Sequence, residues 1–319
     1  MVSSRSEAPR IAVVIGAGGE RPRRLVRALE ALAAQEPPDG ELEAIVVGNH
    51  GTRAPEGPAG LPLRFIEAPA GPQGAAKNRN LGWRATRAPF VAFTDDDCRP
   101  APGWAAALLA AAERSPGTFF QGRTEPDPEE VHLLWGLARS MYIVGDSPWH
   151  ETCNMAYPRE LLERLGGFDE SYHGAGGEDT DLALRAFELG APKAYVDEAL
   201  VWHAVHARNF RQTIRDGFRL PETPQVLARH PQQRQVLPLG IFYRAHGQLL
   251  LAIAGVLTRR PLLALLMSAP YLKVHYRRHR PTPLSILRAT THLPVRVLAD
   301  LAEIATIAAR AARSRTIAL

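Results

Sequence analysis

The chain has 319 residues, 45% of them hydrophobic and 22% charged, which suffices for one large core or two smaller ones and excludes a disordered protein. Its two cysteines, Cys98 and Cys153, make neither a metal-ligand spacing nor a disulfide framework, and they fit a reducing compartment. The net charge of +5 divides unevenly: residues 1–203 carry 20 Lys+Arg against 29 Asp+Glu, a balance of −9, and residues 204–319 carry 18 against 4, a balance of +14.

Met1 to Arg10 is polar and has no apolar signal-peptide core, so a flexible N-terminus over 1–9 and a cytoplasmic location are expected. Ile11 to Ile15 is an apolar run ending in Gly16-Ala17-Gly18-Gly19, and Leu25, Leu29 and Leu32 recur at helical spacing between Pro22 and Ala34. The pattern predicts a strand, a tight loop and a helix. Gly16 to Arg21 invites a dinucleotide-binding reading, but Arg21 stands where the third glycine belongs, and Gly48-Asn49 ends the second strand (Ala44 to Val47) without a ribose-binding acid. Gly18 and Arg21 can still approach a phosphate; the plain alternative is a tight turn. Leu63 to Glu67 reads as a third strand and Gln73 to Thr86 as a helix, and strands alternating with helices argue a parallel sheet.

Phe90-Val91-Ala92-Phe93-Thr94 runs into Asp95-Asp96-Asp97-Cys98-Arg99-Pro100. This reads as a buried strand delivering carboxylates to a sheet edge, where ligands of α/β folds sit. Residues i and i+2 of an extended segment share a side, so Asp95 and Asp97 are expected to converge on a divalent cation while Asp96 turns away. The plain alternative is a solvated acidic turn. Trp104 to Arg114 is predicted helical, Thr118 to Gly122 a strand, Val131 to Val144 an amphipathic helix, and Thr152 to Tyr157 extended, with Pro158 opening a short helix through Leu165. The glycine-rich stretch Gly174 to Gly177 then delivers Glu178-Asp179-Thr180-Asp181 to the start of a helix ending at Gly190. Helix capping accounts for acids there but not for the glycines, which suit close approach of a bulky ligand. Val201-Trp202-His203 ends a short strand.

In combination these features resemble the family-2 glycosyltransferases of the GT-A fold over roughly residues 10–203. The resemblance is carried by Arg79-Asn80-Leu81-Gly82 leading without a gap into the Asp95–Asp97 strand, by Gly166-Gly167-Phe168-Asp169-Glu170, and by Gly177-Glu178-Asp179-Thr180-Asp181-Leu182. It implies a single Rossmann-like mixed sheet flanked by helices, and inverting transfer of a sugar from a nucleotide-diphosphate donor, with Mn2+ or Mg2+ as cofactor. It further implies metal and donor diphosphate at Asp95 and Asp97, His203 as a third metal ligand, and Asp179 as catalytic base. Glu178 would orient the acceptor or assist the base, and Asp181 would cap the helix. Donor contacts are expected at Ala17, Gly18, Asn49, Arg79, Asp95 and Asp96, and the acceptor side at Gly176, Gly177, Glu178 and Trp149. The sequence departs from the family in its two glycine-containing loops after the first and second strands, where the acid that usually reads the base is absent; Asn49 offers a neutral hydrogen-bonding edge instead. A nucleotidyltransferase or a non-catalytic nucleotide-sugar-binding protein is the opposing reading.

The tail completes the expectation: a catalytic domain over 10–220 followed by a helical, basic and apolar region over 221–319. Leu249 to Leu257 and Leu262 to Val274, the second interrupted by Pro270, are each shorter than the ~20 residues of a spanning helix. Arg259, Arg260, Lys273, Arg277, Arg278 and Arg280 border them, and Val295 to Arg313 carries apolar residues at helical spacing with Arg310, Arg313 and Arg315 near its end. Apolar faces among clustered arginines favour an anionic leaflet over nucleic acid. A hairpin packed on the catalytic domain is the alternative. The expected partners are therefore a nucleotide-sugar donor, an anionic membrane surface, and a glycan, lipid-linked or small-molecule acceptor in cell-envelope glycan, glycolipid or secondary-metabolite biosynthesis.

Overall fold

The computed structural model of the chain describes residues 9–18, 21–35, 42–71, 74–173, 176–218, 223–277 and 283–313. The apolar runs become strands Ile11–Ala17 (β1), Leu42–Gly48 (β2), Leu63–Glu67 (β3) and Phe90–Asp95 (β4), all parallel, with β1 between β2 and β4. Cys98–Pro100 (β5), Phe119–Pro126 (β6), Asn154–Pro158 (β7) and Lys193–His203 (β8) complete a mixed eight-stranded sheet of order β3-β2-β1-β4-β7-β6-β8-β5.

Both faces of the sheet are covered, as unbroken apolar strands require. Ile11, Val13 and Ile15 face one core with Leu25, Leu29 and Leu32 of helix α1 (Pro22–Ala33) and Trp104 and Leu108 of helix α3 (Trp104–Arg114). Ala12 and Val14 face the other with Trp83 of helix α2 (Ala75–Ala85), Leu161 and Leu162 of helix α4 (Arg159–Leu165) and Leu182 of helix α5 (Glu178–Glu188). Gly82 lets α2 sit close on β1, because a Cβ there would lie 2.3 Å from Val14 Cγ1.

Three expectations are corrected. Val131 to Val144 is not a helix: one 3-10 turn, Val131–Leu133, is followed by irregular chain with isolated bridges Thr124–Ile143 and Arg139–His206. Gly136 and Gly145 have positive φ, and Val131, Trp135 and Val144 are about half exposed, so the apolar periodicity has no single core to face. The segment is in fact shared between two compact units, 1–128 with 140–204 and 129–139 with 205–319. The expected boundary near 220 falls instead after Ala204. The strands around Gly122 and His203 are longer than expected, because polar residues such as Asp197 and Glu198 interrupt the apolar signal without ending β8.

The second unit contains helices α6 (Phe210–Phe218), α7 (Thr223–Arg229), α8 (Arg244–Leu257), α9 (Pro261–Arg277) and α10 (Pro283–Arg313). The apolar runs form a hairpin of α8 and α9, close-packed at Gly255, where a Cβ would meet Met267 Cβ at 2.8 Å. Pro270 does not interrupt α9, and α10 begins well before Val295 and runs through Pro294. An internal proline costs about 3 kcal/mol, which packing against a neighbouring helix can offset. Val256, Leu257, Leu262, Leu265 and Leu266 around the hairpin turn are 59–75% exposed. Among the described residues no helix is long and apolar enough to cross a membrane. Arg278, Arg280 and Arg315 lie outside the described residues.

Candidate active site

The acidic turn is built by two strands with different neighbours. β4 ends at Asp95, residues 96 and 97 turn, and β5 pairs antiparallel with the end of β8 so that Cys98 stands opposite His203. That register brings Asp97 beside His203, with Nε2 3.7 Å from Asp97 Oδ1, and the Ala204 N–H donates to the Asp97 carbonyl at 2.9 Å. His203 Nδ1 lies 2.8 Å from the Ala204 carbonyl oxygen, which can only accept. In the neutral ring Nδ1 therefore carries the proton and Nε2 turns its lone pair toward the carboxylate, the orientation a metal ligand needs. Cys98 completes a group whose ligand atoms lie within 4.8 Å of one another. Burial pushes its thiol well above the usual range, so of the three Asp97 and His203 are the residues that could hold a hard cation.

The expectation that Asp95 and Asp97 converge while Asp96 turns away is not met, because strand alternation stops at Asp95. Asp96 and Asp97, 4% and 8% exposed, both reach Arg21: its Nη1 is 3.3 Å from Asp96 Oδ1 and in contact with Asp97 Oδ2. Two unit charges about 4 Å apart near a protein surface interact by about 4 kcal/mol, so neighbouring buried carboxylates need a cation, and Arg21 supplies it. Asp95 pairs instead with Arg79, at 3.1 Å from Nη2.

Arg79 is the link to the second acidic motif. Its Nη1 donates to Glu178 Oε1 at 2.6 Å, so one guanidinium ties the end of β4 to the first residue of α5. Glu178 Oε2 is buried without a hydrogen-bond partner. Asp179 Oδ1 accepts the Gly177 and Thr180 amides, at 3.2 and 2.8 Å. Removal from water, with Glu178 adding like charge and Arg79 opposing, pushes the Asp179 pKa up to about 7. Asp181 does not cap the helix: its carboxylate takes Arg185 Nε at 2.8 Å and the Tyr172 hydroxyl at 3.4 Å. Gly176 and Gly177 have φ of 92° and 108°, which favours glycine at this entry.

The remaining expected positions sit as follows. Ala17 ends β1 and Asn49 follows β2, joined by an Asn49 N–H to Ala17 carbonyl bond of 3.2 Å, and Gly18 is exposed beside them. Asn49 Oδ1 accepts Asn78 Nδ2 at 2.9 Å, while Asn78 Oδ1 is buried without a partner. The Trp149 carbonyl accepts the Thr180 hydroxyl at 2.7 Å, which ties that loop to the start of α5. The contacts of Asn80, read from sequence only as part of a motif, and the grip of Arg21 on two acids are findings that sequence reading did not supply. Asn80 donates to the Phe168 carbonyl and Glu170 Oε1, both at 2.8 Å, and accepts from Trp83 Nε1 and the Phe168 N–H, both at 2.9 Å. Gly167 is needed there, because a Cβ would meet Asn80 Oδ1 at 2.4 Å.

Comparison with known proteins places this arrangement. Residues 13–168 match glycosyl transferase family 2, and residues 143–199 match the N-terminal domain of galactosyltransferase. Validoxylamine A glucosyltransferase of Streptomyces hygroscopicus subsp. jinggangensis is 28% identical over 173 residues, 44% of this chain and 41% of that protein. Hyaluronan synthase of Pasteurella multocida is 23% identical over 182 residues, 45% of this chain and 19% of that protein. The chain thus matches less than half the length of these relatives. Among solved structures, the mannosyltransferase PcManGT from Pyrobaculum calidifontis, in complex with GDP-Man and Mn2+, has a TM-score of 0.54 at 21% identity, covering 97% of this chain and 88% of that one. S. aureus TarS in complex with UDP-GlcNAc has a TM-score of 0.52 at 15% identity, covering 92% and 90%. These two likenesses speak for the fold. Residues 13–168 therefore carry the glycosyl transferase family 2 domain, on a fold of GT-A type.

Proposed function

We propose that the chain carries out metal-dependent, inverting transfer of a sugar from a nucleoside-diphosphate donor to an acceptor hydroxyl. The observation that carries this reading is the Arg79 bridge, which makes the Asp95 strand end and the Glu178–Asp179 helix start one site. Asp97 and His203 would hold a divalent cation, Mn2+ or Mg2+, and the ligand orientation of His203 fits it. When bound, the cation would neutralise charge developing on the departing diphosphate. Arg79 adds fixed positive charge beside Asp95, and Ala17, Gly18 and Asn49 border the donor's nucleotide.

Asp179, with a pKa of about 7, is balanced to take the proton of the attacking hydroxyl at neutral pH. The buried, unpartnered Glu178 Oε2 offers an acceptor for that hydroxyl or a neighbouring one. Gly176, Gly177 and Trp149 flank this side. A base that activates the acceptor directly implies one displacement and inversion at the anomeric carbon. Similarity to proteins solved with GDP-Man and UDP-GlcNAc supports a nucleoside-diphosphate sugar, and similarity to validoxylamine A glucosyltransferase supports a small-molecule acceptor alongside glycan or lipid-linked ones. The test is a thermal-shift panel of nucleotide sugars with Mn2+, followed by detection of released nucleoside diphosphate and the product's anomeric configuration. A retained configuration, or pyrophosphate in place of nucleoside diphosphate, would refute the reading.

The exposed apolar hairpin turn and the balance of +14 over residues 204–319 support peripheral association with the cytoplasmic face of an anionic membrane. Co-sedimentation of the full chain with anionic but not neutral vesicles is expected, weakened by Leu265→Asn with Leu266→Asn.

A further inference from the structure

Arg21 occupies the charge of the site that a divalent cation would use. Its backbone is fixed as the N-terminal cap of α1, with its carbonyl accepting the Arg24 and Leu25 amides at 3.0 and 3.1 Å and Pro22 following it. Its side chain, 41% exposed, leaves that anchor to grip Asp96 and Asp97, whose side chains are 5% and 6% exposed. The fixed backbone and exposed side chain mean that only rotamer changes are needed for the guanidinium to leave. Asp97 divides its oxygens: Oδ2 meets Arg21, and Oδ1 faces His203 Nε2.

We infer that Arg21 is an exchangeable counter-cation that competes with the metal for the Asp96–Asp97 turn and moves to the donor's diphosphate when the metal binds. This rests on the proposed metal site. A dication at Asp97 and His203 and a guanidinium on the same carboxylate repel each other, whereas a diphosphate carries enough negative charge to satisfy both. Metal alone should then bind weakly, and metal with a nucleoside diphosphate tightly. Arg21 would thereby couple the two ligands and keep the site from filling with metal before the donor arrives.

The test is a Mn2+ titration of the full chain, read by the EPR signal of free Mn2+, alone and with UDP or GDP. Arg21→Gln is expected to bind Mn2+ alone at least about tenfold more tightly than the wild type and to lose most of the tightening that the nucleotide gives. Arg21→Lys, which keeps a cation but not the planar guanidinium, should fall between them. Unchanged or weaker Mn2+ binding by Arg21→Gln, with its coupling to nucleotide intact, would overturn the inference. Asp97→Asn separates this from failure of the metal site: if that variant binds Mn2+ like the wild type, the metal reading is wrong, whereas loss of binding there with no change in Arg21→Gln rejects only the exchange.

Discussion

Two arginines compensate the acids of this site in opposite ways. Asp96 and Asp97 are paired with Arg21, whose side chain is 41% exposed and hangs from the start of a helix. Asp95 and Glu178 are paired with Arg79, whose side chain is 10% exposed within α2. A solvent-facing guanidinium can swing away as another cation takes its place over the carboxylates; a buried one bridging two elements cannot. The contrast separates a turn adapted to exchange cations from a helix start adapted to hold a carboxylate at a raised pKa.

The contrast breaks most completely at Asp97. Asp97→Asn should remove both Mn2+ binding and activity, with turnover falling on the order of 10³-fold or more, because a neutral amide keeps the shape but loses the charge. Donor binding that keeps its Mn2+ dependence in this variant would move the metal elsewhere. Asp179→Asn should instead lower turnover by roughly 10² to 10⁴ while donor affinity stays near normal. A collapse of donor affinity would assign Asp179 to the donor side.

The two arginines should also differ in stability. Arg79→Met leaves Asp95 and the buried Glu178 without their cation, and breaking such a pair costs about 3–5 kcal/mol. Arg21→Gln also uncovers two buried carboxylates, but water and free cations reach its 41% exposed position, so the loss should be smaller, about 1–2 kcal/mol. Denaturant titration of both variants measures the gap, and equal losses would erase the proposed distinction.

Much of the fold was legible because the strands of the parallel half are continuous apolar runs ended by glycine or acid, as in Ile11–Ala17 and Phe90–Asp95. The order of motifs also carried the family. What could not be read were contacts set by register and long-range packing. Asp97 meets His203 because Cys98 pairs with His203 in the β5–β8 ladder, and nothing local to either residue shows that pairing. Strand alternation misplaced Asp96 because the strand ends at Asp95, two residues before the acids do. The helix expected over Val131 to Val144 failed for a related reason: a periodicity counts only where one core receives it, and this segment is divided between two.

The smallest effect is the most specific to Asp179. Its folded pKa of about 7 lies above the ordinary carboxylate value of 3.8, so the native state holds its proton more tightly than the unfolded chain does. Below about pH 4 the group is neutral in both states and costs nothing. Between pH 4 and 7 the unfolded chain has released the proton while the native state retains it, so stability declines as pH rises; above 7 the full cost of the ionised carboxylate is present. Asp179→Asn removes that charge, and its amide oxygen can still accept the Gly177 and Thr180 amides. Linkage would put the full shift at about 4 kcal/mol; Asp179 is only partly buried, and solvent screening reduces this to roughly 1 kcal/mol, so the variant should melt about 2–4 °C above the wild type at pH 8, with the gain shrinking toward zero as pH falls to 4. The same ionisation should give the wild type an acid limb in kcat/KM centred near pH 7, tenfold per unit below it. A melting difference independent of pH would mean that Asp179 titrates as an ordinary carboxylate, and the acid limb would then have to come from another group.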